Sequence, residues 1–168
     1  MNYKYIKLVI TDIDGVWTDG GMYYDNQGNE FKKFSVYDGW GVRFLRDRQI
    51  HLAIMTGETT DIVERRAKKL GIEYLFQGAK NKLALAKDLS KKLGITLQEV
   101  AFIGDELNDI ELLREVGLSA CPAQASSYIQ KEVDLVLQTK GGDGAFKEFA
   151  WIITDGAKTT LNDYKLIH

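Results

Sequence analysis

Residues 6–20 read Ile6-Lys7-Leu8-Val9-Ile10-Thr11-Asp12-Ile13-Asp14-Gly15-Val16-Trp17-Thr18-Asp19-Gly20. A short run of branched apolar residues stops at two acids and a glycine, the pattern of a buried strand ending at an open sheet edge. The pattern recurs: Leu52–Met55 runs into Thr56-Gly57-Glu58, Tyr74–Phe76 into Gln77-Gly78, and Val100–Ile103 into Gly104-Asp105-Glu106. With Ile6–Ile10 first, and Leu118–Ala120 and Leu135–Leu137 last, six strands are expected. Between them, helical spacing predicts helices over Gly41–Arg48, Asp61–Leu70, Lys80–Leu93, Asn108–Val116 and Gly144–Thr154, with Asp61 and Glu64 matching a capping-box start. Strands alternating with helices make an α/β fold, a doubly wound parallel sheet whose strands deliver their chemistry at their carboxyl ends.

One segment breaks the alternation. Residues Val16–Phe34 hold Met22-Tyr23-Tyr24, then turn residues Asp25-Asn26-Gln27-Gly28-Asn29, then Phe31 and Phe34, and read as a β-hairpin inserted after the first strand. The chain is 168 residues long, so one domain over residues 1–156 with a polar tail over 157–168 accounts for it. Basic residues number 22 and acidic residues 24, a balance that excludes an electrostatic nucleic-acid binder and leaves any anion to be met by a local cluster. The first apolar run is too short for a signal peptide or a membrane span, and the single Cys121 reads as a small core residue, so a cytoplasmic protein is expected.

At the expected sheet edge Asp12, Asp14 and Asp105 converge with Thr56 and Lys82. Taken singly each has an ordinary reading: Lys82 a surface lysine, Thr56 a turn residue, Asp109 a helix cap. Together, carboxylates at close range repel unless a cation sits between them, and an oxygen-only donor set favours Mg2+. His51 stands at the other end of its strand and His168 is the last residue, so no zinc site is expected.

The order Asp12-x-Asp14-Gly15-x-x-Thr18, Thr56-Gly57, Lys82, then Gly104-Asp105-x-x-x-Asp109 resembles the four motifs of the haloacid dehalogenase superfamily of phosphatases. The resemblance implies that Asp12 is a nucleophile forming an aspartyl-phosphate and that Asp14 is the acid and base. It implies also that Thr56 and Lys82 hold the phosphoryl oxygens and that Mg2+ is bound by Asp12, Asp14 and Asp105. Only the hairpin, a turn and one helix separate Thr18 from Thr56, so the cap-less branch is implied. Within it, residues 10–30, Lys33–Gly39, Tyr74–Gly78 and Gly141–Gly144 resemble the 3-deoxy-2-keto sugar acid phosphatases, whose expected substrate is a sugar acid phosphate.

Glu58 after Thr56-Gly57, with Lys69 on the next helix, resembles the nonulosonate 9-phosphate branch; the alternative is 3-deoxy-manno-octulosonate 8-phosphate. Glu58 equally reads as a helix-start acid. The expected substrate-binding residues are Ser35, Asp38, Gly57, Glu58, Arg66, Lys69 and Asn108. Trp17, Tyr23, Tyr24, Phe31 and Phe34 suggest a subunit interface or packing on their own domain, and the resemblance tips this to a homotetramer through the hairpin. Arg65 and Arg66 would then reach a neighbour's sugar carboxylate. Two readings of other classes are weaker. A non-catalytic assembly module like those appended to cytidylyltransferases would have lost the acids, and a phospho-accepting receiver explains neither Asp14 nor the hairpin.

Overall fold

A computed structural model describes residues 3–154; the tail expected over 157–168 lies outside the described residues. Strand β1 (Leu8–Thr11) sits mid-sheet, paired in parallel with β4 (His51–Met55) and with β6 (Val100–Ile103), Leu8 facing His51 and Val100. Strand β5 (Tyr74–Phe76) flanks β4, and β7 (Leu118–Cys121) and β8 (Leu135–Val136) follow β6, giving the order β5-β4-β1-β6-β7-β8 with every pairing parallel. All six carboxyl ends therefore open on one edge.

Both sheet faces are covered, which is why the inner strands read as unbroken apolar runs. Val9 packs with Val42, Leu45, Val63, Phe146 and Phe149 from α1 (Asp38–Asp47), α2 (Asp61–Leu70) and α6 (Ala145–Ile153). Leu8 and Ile10 pack on the other face with Ala86, Leu89, Leu112 and Ile129 from α3 (Lys82–Leu93), α4 (Ile110–Leu113) and α5 (Ser127–Gln130).

The differences from the expected elements have local causes. Helix α2 has its expected limits, but its cap is Thr60, whose hydroxyl accepts from the Val63 N–H at 3.3 Å, not Asp61. Helix α3 starts at Lys82 because Asn81 caps it through the Ala84 N–H at 2.8 Å. Helix α1 starts at Asp38, ahead of its two glycines: Gly41 lies against α6, where a Cβ would come 2.9 Å from the Phe146 ring. The expected helix Asn108–Val116 is a 3-10 turn over Leu107–Asp109 followed by the single turn of α4.

The inserted hairpin is present as β2 (Tyr23–Tyr24) and β3 (Glu30–Phe31), its turn closed by Asp25, which accepts from the Gln27 and Asn29 N–H groups. Trp17 is a core residue and not part of that ribbon: its indole stacks on Phe146 with centroids 4.5 Å apart and donates to Thr11 Oγ1. Tyr23, Tyr24 and Phe31 are exposed. Among the described residues no helix is long and apolar enough to cross a membrane.

Candidate active site

Strand β1 ends by placing Asp12 at the open edge, where its N–H donates to the Ile103 carbonyl and its Oδ1 accepts from the Ile13 N–H at 2.7 Å. The chain then turns tightly, three amides (Val16, Trp17, Thr18) pointing at the Ile13 carbonyl. Thr18 is the hub of that turn: its Oγ1 accepts from the Gly15 and Gly20 N–H groups and donates to Asp14 Oδ1 at 3.3 Å. Gly15 has φ +80°, and a Cβ there would collide with the Asp105 carboxylate, so the residue type is set by both backbone and space.

Lys82, the first residue of α3, is buried with its Nζ 2.9 Å from Asp12 Oδ2 and 2.6 Å from Asp109 Oδ1. Burial lowers the lysine pKa, but Asp12 and Asp109 outweigh it and the net shift is upward. Asp109 Oδ2 accepts from the N–H groups of Asp105 and Glu106, which holds the loop after β6 in place. Burial raises the Asp12 carboxyl more than Lys82 lowers it. Asp105 is pushed up to about 7 by burial and then by Asp12 and Asp109, and its Oδ1 is buried without a partner.

Asp12, Asp105 and Asp109 each offer a carboxylate oxygen within 4.8 Å of the others. Three hard oxygen donors, an orphaned buried oxygen and raised carboxyl pKa values fit a divalent cation such as Mg2+. The side chain of Asp14 is not in this cluster: its Oδ1 accepts from the Thr18 hydroxyl and from a lysine of the hairpin.

A pocket of about 280 Å³ opens above the cluster, lined by Asp12, Asp14, Gly15, Thr56, Gly57, Glu58, Asp105, Glu106 and Asn108 among others. It thus collects Gly57, Glu58 and Asn108 from the expected sugar-binding set. It does not collect Ser35, Asp38, Arg66 or Lys69. Asp38 is fully buried and turned to α6, where it accepts from the Lys147 N–H at 3.1 Å. Arg66 donates through Nη2 to the Ser35 carbonyl at 2.9 Å with its guanidinium 5.6 Å from the Phe34 ring centroid, while its Nε is buried without a partner. Lys69 is exposed in the last turn of α2, and the lysine that pairs with Glu58 is Lys32.

Three contributors escape a reading by motif. Lys32 reaches Asp14 and Glu58 from the hairpin. Glu106 lines the pocket and accepts from the Tyr128 hydroxyl. Gln124 donates to the Gly15 carbonyl at 2.7 Å and accepts from the Gly141 N–H at 2.8 Å, joining the turn after β1 to the glycine stretch before α6. Their signal is tertiary contact, which spacing along the chain does not encode. Cys121 is buried as expected, its thiol pushed up to about 11 by burial and by Asp105.

Residues 72–149 match the family model described as haloacid dehalogenase-like hydrolase. The 3-deoxy-D-manno-octulosonate 8-phosphate phosphatase of Haemophilus influenzae is 42% identical over 148 residues, covering 88% of this chain and 82% of the relative. The Escherichia coli K12 phosphatase of the same name is 43% identical over 143 residues, covering 85% and 76%. Among solved structures, the Moraxella catarrhalis phosphatase of that name, in complex with magnesium, phosphate and a KDO molecule, superposes with TM-score 0.90 at 38% identity, covering 96% of this chain and 92% of that one. A cobalt-bound octulosonate 8-phosphate phosphatase from H. influenzae superposes with TM-score 0.89 at 38% identity, covering 96% of each chain.

Proposed function

The chain belongs to the haloacid dehalogenase-like hydrolases, and from that membership we propose that it removes the terminal phosphate of a 3-deoxy-2-keto sugar acid by way of an aspartyl-phosphate on Asp12. The observation that carries the reading is the convergence of Asp12, Lys82, Asp105 and Asp109 beneath a pocket rimmed by Asp14 and Thr56. In the first half-reaction an Asp12 oxygen attacks phosphorus; an Asp–O–P bond forms, the bond to the sugar oxygen breaks, and Asp14 gives that oxygen a proton. In the second, a water oxygen bonds to phosphorus, the Asp12 oxygen leaves, and the water's proton passes to Asp14. Lys82 screens the approach of one anion to another, and Thr56 holds a phosphoryl oxygen. Asp12 and Asp105, with Asp109 beside them, would hold the cofactor Mg2+, which would supply positive charge for the transferring phosphoryl group.

The relatives support the eight-carbon octulosonate 8-phosphate as the substrate, since both curated phosphatases carry that name. One observation favours a nine-carbon nonulosonate 9-phosphate: Glu58 stands in the pocket wall, where a carboxylate accepts hydrogen bonds from sugar hydroxyls. Side-by-side kcat/KM values for the two sugar phosphates with Mg2+ decide between them, the margin expected being on the order of tenfold or more. Absence of phosphate release from either would overturn the reading and leave a non-catalytic module.

A further inference from the structure

Lys32 belongs to none of the motifs. It directly follows β3, and its side chain is 2% exposed although the hairpin before it stands in solvent. Its Nζ lies 2.7 Å from Asp14 Oδ1 and 2.7 Å from Glu58 Oε2, with Glu30 farther off at 3.8 Å. The next residue points the other way, as alternation along an extended chain requires: Lys33 is exposed and pairs with Asp143 and Asp19. A lysine gives up hydration and chain entropy to be held like this, and two short charge-assisted hydrogen bonds are what hold it.

The bonds fall unevenly on Asp14. Its Oδ1 takes both the Lys32 ammonium and the Thr18 hydroxyl, while Oδ2 accepts from no protein donor among the described residues. Asp14 also lines the pocket, so Oδ2 is the oxygen left for exchange with a substrate.

We propose that Lys32 is a positioning residue for the phosphatase reaction: anchored to Glu58 on the pocket wall, it pins Oδ1 of Asp14 so that Oδ2 is presented to the departing sugar oxygen. The inference rests on the reading of Asp14 as the acid in the first half-reaction, in which the proton moves from Oδ2 to the leaving oxygen as the phosphorus–oxygen bond breaks. It gives the hairpin a role in its own subunit's site.

The test is the dependence of kcat/KM on the leaving group, because kcat/KM reports the step in which that group departs. Ethyl phosphate releases a poor leaving group that needs the proton; para-nitrophenyl phosphate releases a phenolate that hardly does. In Lys32→Met with Mg2+, the ratio of the para-nitrophenyl to the ethyl value should widen by on the order of tenfold or more relative to the unmodified protein. Lys32→Arg, which keeps a cation able to bridge two carboxylates, should restore most of it. If the Met variant does not fold, Lys32→Gln reads the same ratio. Equal losses on both substrates, or none, would overturn the positioning role while the phosphatase reading stands. If the unmodified protein releases phosphate from neither probe nor from either sugar phosphate, the phosphatase reading itself falls.

Discussion

Asp12, Lys82 and Asp109 are buried charges, the Lys82 ammonium in contact with both carboxylates, so removing any one of them leaves another without its partner. An amide in place of the Asp12 carboxylate is a poor nucleophile and a weaker metal ligand. Asp12→Asn should therefore lose on the order of a thousandfold or more in phosphate release while remaining folded, because it removes one of two carboxylates competing for a single ammonium. Phosphate release and thermal unfolding measured on the same sample check both halves. Turnover near that of the unmodified protein would sink the mechanism. Asp12, Asp14, Thr56, Lys82 and Asp105 stand at the sheet edge where the strand pattern places them, because a strand end or helix start delivers each one. Asp38 was misread for a related reason: an acid beside a glycine near the edge resembles a site residue, and nothing local reveals that it faces backward into α6.

Helices α1 and α6 show how such a backward-facing acid is used. Gly144 at the start of α6 has φ +107° and no side chain with which to cap it, and Asp38 of α1 accepts the Lys147 N–H in its stead. Burial pushes the Asp38 carboxyl up to about 7 against the Lys147 amide and the Arg66 charge, which lower it. A carboxyl raised on folding contributes stability that is fully present below its unfolded value and is lost as pH rises through about 7. Asp38→Asn keeps the acceptor without the titration. Urea unfolding between about pH 4 and pH 8 should accordingly decline less for the variant than for the unmodified protein, and parallel curves would refute the assignment. Element limits were read best where termination is local: β5, β6 and α2 match their expected ranges, and Gly71 in the left-handed region stops α2. The expected Asn108–Val116 helix shrank because Asp109 folds back onto the Asp105 and Glu106 amides and tightens the first turn into a 3-10 form, a contact without periodicity.

The whole molecule is a charged edge on an apolar body, and the edge carries more negative charge than its own lysines offset. Asp105 stands near 7 through burial and its acidic neighbours, so its share of metal-free stability is fullest below the unfolded carboxyl value and fades as pH rises through about 7. Mg2+ requires the ionised form and reverses that loss, so its effect on Tm should be larger at about pH 8 than at about pH 5. Equal Mg2+ shifts at both pH values would place the cation elsewhere. At the opposite extreme of polarity, Tyr23, Tyr24 and Phe31 stand exposed on the hairpin, and light scattering should give a homotetramer, four times 19.0 kDa; a monomer mass would count against that interface. The glycine stretch before α6 has a consequence in time. Gly141 lies where any Cβ would strike the Gly15 carbonyl, Gly142 donates to Val16, and Gln124 bridges the two segments, so the turn bearing Asp12 and Asp14 is seated by residues made more than a hundred positions later. During synthesis Asp12 and Asp14 therefore emerge well before Gln124, Gly141 and Gly142, the residues that seat their turn. A chain truncated before Gly141 keeps both acids and lacks those contacts, and it should release no phosphate where the full chain does.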